Sequence, residues 1–193
     1  MRSGGELYRP SLEELDGELD RIKRAGSFRR WLRALVIIVI LAACAGGYMM
    51  REHFMVVRVS GSSMEPTLQT GDIALYDKKA DISRGDVVLF ERDGMLQIKR
   101  VIGVGGDKVR VAESGQVYVN GVAVEEEYVL SASLGKSDIV YPATVPAGHV
   151  FVMGDNRVTS VDSRNSGVGF IAESELAGRV RIVLWPAYRI RFF

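Results

Sequence analysis

Cysteine is almost missing from this chain. Cys44 stands alone among 193 residues, which excludes a disulfide within the chain and a thiolate metal cluster. Histidine is as scarce, with only His53 and His149, so a multi-histidine metal site is out of reach and no metal or other cofactor is expected. Neither sign of charge dominates. The 25 Lys and Arg against 24 Asp and Glu leave a formal net charge of +1, without the broad basic face that nucleic-acid binding wants. Internal repeats and low-complexity tracts are absent as well. The 47% hydrophobic and 25% charged content is that of a globular protein, which speaks against wholesale disorder and a multi-span membrane protein. The length suits one sizeable folded unit with accessories. Chemistry, if there is any, has to run on oxygen and lysine side chains.

One block departs from this average. No charge interrupts Ala34 to Met50, the short end of the roughly 17–25 residues that cross a hydrocarbon core. Trp31 and Leu32 before it and Tyr48 near its end suit a membrane interface. Upstream, Arg21, Lys23, Arg24, Arg29, Arg30 and Arg33 form a run with no acid among them, whereas downstream Arg51, Glu52 and Arg58 are mixed. The positive-inside rule then predicts a cytoplasmic tail over residues 1–30, a transmembrane anchor over 31–50 and an extracytoplasmic domain over 51–193. A cleaved signal peptide would have a shorter basic leader. Leu41-Ala42-Ala43-Cys44 has the form of a lipobox, but that same long leader argues against lipidation of Cys44. Residues 11–24 carry Leu12, Leu15, Leu19 and Ile22 at helical spacing behind a candidate Ser11 cap with Glu14 three residues on. A separate short amphipathic helix is expected there.

After Phe54 the texture changes to short β-branched runs broken by glycine. Val56–Val59, Ile73–Tyr76, Asp86–Glu91, Leu96–Val101, Lys108–Val111, Val117–Val119, His149–Met153 and Arg179–Leu184 read as strands. Alternation on both sides of Asn120-Gly121 calls for a type I′ hairpin. Helical periodicity is limited to a turn near Ala172–Ala177. The outer domain is therefore expected to be mostly β, and it is large enough to bury a core of its own. Its apolar start, Phe54 to Val57, is suited to touch a bilayer surface.

Three segments of this domain carry candidate chemistry. In Ser60-Gly61-Ser62-Ser63-Met64-Glu65-Pro66-Thr67-Leu68, Pro66 fixes the backbone near a hydroxyl presented from a strand-to-turn corner. Glu65 in the fifth place rules out the Gly-x-Ser-x-Gly elbow. In Gln97-Ile98-Lys99-Arg100, strand alternation sends Lys99 and Arg100 to opposite faces, so one of them faces inward. A buried lysine is pulled below its ordinary pKa of about 10.4 and becomes able to accept a proton. Arginine stays charged and cannot do so. The third segment, Gly154-Asp155-Asn156-Arg157 to Ser160-Val161-Asp162-Ser163-Arg164, reads as a hydrogen-bonded loop. It is not a calcium loop, because Arg157 stands where a ligand is needed and no glutamate closes it. Ser133-Leu134-Gly135-Lys136 matches Ser-x-x-Lys, but that motif works on a helical turn and Gly135 predicts a loop.

Together with Gly71-Asp72, Gly85-Asp86-Val87-Val88 and Gly103-x-x-Gly106-Asp107, these segments resemble, in order, the type I signal peptidases. These are membrane-bound Ser–Lys endopeptidases, and the likeness covers residues 56 to about 181. It implies a domain of antiparallel sheets behind one anchor, as in the short form of that family. It makes Ser63 the nucleophile and Lys99 the general base. Ser160 would hydrogen-bond the lysine, and Asp162 and Arg164 would brace the loop as an ion pair. Substrate would add as a strand beside Val59–Ser63, Gly61 included, and Gln97–Lys99, with Met64, Leu68 and Ile98 helping line shallow pockets. The implied partners are the signal peptides of secretory preproteins and membrane lipid, in a bacterial cytoplasmic membrane. Gly61 stands where some members place a serine that helps bind the oxyanion. The Ser63 N–H is then one donor, and Ser62 is a candidate for the second. Gly105 and Ala172 replace prolines frequent in the family. A self-cleaving repressor also uses Ser and Lys but has no such anchor, and a silent binding domain would not need both residues.

Overall fold

The computed structural model describes residues 12–92 and 94–193, and the chain divides after Met50 into two compact units. One helix, α1 (Leu12–His53), accounts for the first. Two helices were expected, an amphipathic one over 11–24 and then the anchor. Instead the helix runs on without a break. No proline interrupts 12–53, and the arginines, leucines and alanines around residues 21–35 favour helix strongly enough to carry Gly17 and Gly26 at about 1 kcal/mol each. The proposed Ser11 cap lies outside the described residues. Within α1, Trp31–His53 is long and apolar enough to cross a membrane, with a mean hydropathy of 2.1. The side chains from Leu35 to Leu41 are all exposed, which is not the environment of a soluble protein's core helix.

Strands make up most of the second unit: β1 (Phe54–Arg58), β2 (Ile73–Asp77), β3 (Val87–Arg92), β4 (Met95–Val104), β5 (Lys108–Val111), β6 (Val117–Val119), β7 (Val122–Ala123), β8 (Ala143–Thr144), β9 (His149–Met153), β10 (Ile171–Ala172), β11 (Leu176–Trp185) and β12 (Arg191–Phe192). Among the described residues they form two antiparallel sheets. The larger is ordered β1-β2-β11-β3-β4-β9-β10 with β12 on β11, and the smaller β7-β6-β5-β8. The mostly β expectation is met, and every predicted strand is present. The Asn120-Gly121 turn takes φ of 52° and 84°, the paired positive values a type I′ turn requires. A single 3₁₀ turn over Glu173–Glu175 is all that forms near Ala172–Ala177.

The centre of the large sheet is covered on both faces. Along β3, Val87 and Leu89 join one core cluster with Val59, Met64, Leu68 and Tyr76, while Val88 and Phe90 join another with Val101, Val152 and Ile171. A third cluster packs Ile102, Phe151 and Met153 against Val109, Val117 and Val119 of the small sheet. Strand β4 pairs with β3 in the register Val87↔Arg100 and Val88↔Lys99, so its polar residues enter a region with little water on either side. Lys99 is 4% exposed and Arg100 7%. The expectation that only one of them faces inward is therefore corrected. Alternation does separate them, but a strand with two covered faces buries both.

Candidate active site

Ser63 sits on the segment that links β1 to β2, and that segment is pinned from several sides. Val59 N–H donates to Asp72 O at 2.8 Å, and Gly71 N–H donates back to Val59 O at 2.9 Å. Met64 and Leu68 sink into the core, and Leu68 N–H closes a helical turn on Met64 O at 2.9 Å. Asp72 accepts from Gln69 N–H at 2.9 Å and pairs with Arg189 at 3.1 Å. Two anchors come from the loop after β9. Asn156 donates its backbone N–H to Ser63 O at 3.0 Å and its side-chain amide to Ser62 O at 3.2 Å.

Lys99 reaches this segment from β4. Its Nζ is hydrogen-bonded to Ser63 Oγ at 2.9 Å. Burial pulls its pKa below the ordinary lysine range, the charge of Asp162 acts in the opposite direction, and that of Arg164 lowers it further. Asp162 is no free counter-ion. Its Oδ1 accepts from Arg164 Nε at 2.8 Å, and its Oδ2 accepts from Arg164 Nη2 at 2.8 Å and from Gly154 N–H at 2.9 Å. The expected Asp162–Arg164 pair is thus present, and it fastens the loop to β9. Arg164 Nη1 reaches on to the carbonyls of Leu134 at 2.9 Å and Ser133 at 3.3 Å. The Ser133–Lys136 stretch is a strap over this loop, as its glycine suggested, with no catalytic geometry of its own.

Three expectations fail. Ser160 was to hydrogen-bond Lys99, but its buried Oγ has no hydrogen-bond partner. The hydroxyl lies instead in the space a side chain on residue 154 would fill, where a Cβ would collide with Ser160 Oγ and with the Ser63 carbonyl. Leu68 was to line the substrate site. It is wholly buried in the core cluster of Val59 and Met64, because the helical turn after Ser63 rotates it inward. Ser62 was a candidate second oxyanion donor. Its side chain is exposed and lies outside the groove beside Ser63.

That groove, of about 180 Å³, is walled by Val57–Gly61, Ser63 and Met64 on one side and by Leu96–Lys99 on the other. Val59, Gly61, Met64, Gln97 and Ile98 all line it. Ser60 and Gly61 leave room beside Ser63, while Val57, Val59, Met64, Leu96 and Ile98 give the groove an apolar lining, a shape that admits a peptide strand with small residues. Among the described residues no cluster of His, Cys, Asp and Glu is placed to hold a metal ion. The arrangement offers an alcohol, an amine held short of water, and two peptide edges.

Several residues around the site have partners that the sequence did not assign. Arg100 chelates Asp155, with Nε to Oδ1 at 2.9 Å and Nη2 to Oδ2 at 2.6 Å, and donates Nη1 to Gly85 O at 2.8 Å. Arg84 holds Asp107, whose carboxylate also accepts from Val104 N–H at 2.9 Å and Asn120 at 3.0 Å. Tyr128 and Glu126 approach Arg100 and Arg157. The Gly-Asp pairs were visible signals for Asp107 and Asp155. Nothing local marks Glu126 within Glu125-Glu126-Glu127.

Comparison with known proteins gives a consistent result. The family described as "Signal peptidase, peptidase S26" matches residues 28–185. A signal peptidase I of Bacillus licheniformis is 34% identical over 182 residues, covering 87% of this chain and 94% of that one. Signal peptidase I T of Bacillus subtilis (strain 168) is 35% identical over 182 residues, covering 88% and 91%. A crystal structure of a signal peptidase I from Enterococcus faecalis V583 aligns with a TM-score of 0.43 at 30% identity, covering 52% of this chain and 97% of that chain.

Proposed function

We propose, for a chain that belongs to the signal peptidase S26 family, that Ser63 is its nucleophile and Lys99 its general base. The protein is a serine endopeptidase that removes N-terminal signal peptides from secreted preproteins. Neutral Lys99 takes the Ser63 hydroxyl proton as Oγ attacks the carbonyl that follows a small residue. The tetrahedral oxyanion meets the Ser63 N–H. The Lys99 ammonium then protonates the leaving amine, and a water activated by the regenerated amine hydrolyses the acyl-enzyme. One observation carries this reading: a buried lysine nitrogen lies 2.9 Å from a serine hydroxyl at the wall of a peptide-sized groove. Gly61 on one wall and Gln97 on the other lie where a substrate strand can pair its main chain, and Val59, Met64 and Ile98 help shape its pocket. Asp162 and Arg164 brace the loop behind the lysine, with Ser160 beside them.

The protein is membrane-anchored. Its finer topology in the bacterial cytoplasmic membrane follows from the charge bias around α1: residues 1–30 inside, 31–50 crossing, 51–193 on the outer face. Contact with lipid beyond the anchor is supported by one row of side chains. Val56, Leu75, Ile182 and Phe192 pair across β1, β2, β11 and β12, and Val56 and Phe192 are 55% and 76% exposed.

Purified protein in detergent, given one secretory preprotein, tests the reading. Ser63→Ala and Lys99→Ala are each expected to lower cleavage by at least about 10³-fold while the domain stays folded. Cleavage at the wild-type rate by Ser63→Ala refutes it. A reporter fused after Phe193 should be active only outside the cytoplasm.

A further inference from the structure

The two walls of the groove have to stay apart to admit a substrate. Among the described residues, the hydrogen bond between Ser63 and Lys99 is the only one joining the Ser60–Leu68 segment to β4. The spacing of the dyad must therefore be imposed from behind. Arg100 of β4 and Asp155 of the loop meet there directly, and the residues that link this pair to the rest of the loop come from the chain between β7 and β8.

Glu126 is flanked by two exposed glutamates, yet its own carboxylate is turned inward. It receives both arms of Arg157, Nη2 to Oε1 at 2.6 Å and Nη1 to Oε2 at 3.0 Å. Arg157 is almost wholly buried and also donates Nε to Gly154 O at 3.1 Å. The residue before it is Asn156, which holds the carbonyls of Ser62 and Ser63. Glu126 therefore acts on the nucleophile's segment through one arginine and one asparagine. Tyr128 acts on the other wall. Its hydroxyl donates to Glu126 Oε1 at 2.7 Å, and its ring lies 3.9 Å from the guanidinium of Arg100. Arg100 follows Lys99 on β4 and is chelated by Asp155, which precedes Asn156.

We infer that Glu126 and Tyr128 are positioning residues for the Ser63–Lys99 pair, a clip that ties β4 to the loop holding Ser63 and so sets the distance between base and nucleophile. The inference rests on the reading of those two residues as the dyad. Neither clip residue touches the reacting atoms. The electrostatics favour a rigid clip: two guanidinium groups and two carboxylates balance in a site almost closed to water, where removal of one partner leaves a buried charge unanswered. Displacement of a reacting group by about 1 Å can cost on the order of 10²-fold in rate, so small slack here reaches the chemistry. Val59, tied to Gly71 and Asp72, and Leu96–Ile98, paired with β3, are held independently of the clip, so the slack falls on Ser63 and Lys99 more than on the rest of the groove.

The test compares full-length wild type, Ser63→Ala, Glu126→Gln and Tyr128→Phe in detergent. The substrate is a peptide with an apolar run followed by Ala-x-Ala, with urea melts run alongside. Glu126→Gln is expected to lose about 10-fold or more in kcat with KM within about twofold. The acid limb of its kcat/KM profile should move up by about half a pH unit. A loosened clip admits water to Lys99, which faces Ser63 and the charges of Asp162 and Arg164. A purely structural role would lower the melt and leave that limb in place. Tyr128→Phe keeps the ring over Arg100 and loses only the hydroxyl bond, so a fall of about threefold in kcat is expected. If Glu126→Gln does not fold, Tyr128→Phe decides. Wild-type kcat in the folded variants, or a change confined to KM, overturns the clip. Cleavage by Ser63→Ala would overturn the dyad and the clip with it, whereas an inactive Ser63→Ala beside unaffected clip variants sinks the clip alone.

Discussion

Lys99 and Arg100 are neighbours on β4, both buried, and their surroundings treat the two charges in opposite ways. Arg100 meets a carboxylate on two arms, a backbone carbonyl and an aromatic ring. Lys99 meets an uncharged hydroxyl, and the acid nearest in influence, Asp162, is already taken by Arg164 and Gly154. A buried cation whose partner is a carboxylate stays charged and holds structure. A buried amine without one is driven toward its neutral form and becomes a base. One strand thus places a structural cation and a reactive amine side by side.

Substitutions at the two positions can break this contrast. The largest effect is expected from Lys99→Arg, which keeps a cation but one that cannot give up its proton. Its kcat/KM should fall by about 10³-fold or more, and substantial cleavage by that variant would contradict the neutral-amine account. Next comes Arg100→Leu, which strands Asp155. Urea denaturation should report a loss of about 3–5 kcal/mol, and an unchanged midpoint would mean that Asp155 finds another partner.

Lys99→Met should do the reverse. The folded pKa of Lys99 lies below its unfolded value of about 10.4. Between the two values the unfolded chain holds a proton that the folded chain does not, so this lysine opposes folding there and stability rises as pH climbs through that window. The methionine variant should be the more stable at pH 7, with the gap closing as pH approaches about 10.4. A gap that does not depend on pH would show that packing, not ionisation, separates them. The smallest effect belongs to Ser160→Ala. Removing a buried hydroxyl without a partner should raise stability by about 1 kcal/mol, whereas a loss would mean that Ser160 Oγ holds a bond absent here.

What the sequence made legible follows the range of the interactions. The strands are local: alternation fixes β5, where Lys108 and Arg110 are exposed and Val109 and Val111 buried, and Asn120-Gly121 fixes the hairpin. Ser63, Lys99 and the Asp162–Arg164 pair carried motifs, and the fold brings the first two within bonding distance. The burial of both Lys99 and Arg100 was hidden because it depends on which strands flank β4. Leu68 was misplaced for a related reason, since a helical turn after Ser63 swings it away from the groove. The two-residue strands β8, β10 and β12 are too short to show a period. Glu126 was invisible because a run of three glutamates looks like a solvated face, and only the distant Arg157 picks out the middle one.

The ionisation of Lys99 is the claim on which the rest turns, and it is open to direct observation. Full-length protein labelled at the lysine side chain and assigned through a Lys99→Met control can be titrated by following the Cε and Nζ resonances. The account predicts that Lys99 loses its proton below the ordinary lysine value and is neutral where the enzyme is active. A Lys99 that titrates near the ordinary lysine value of about 10.4 would contradict it.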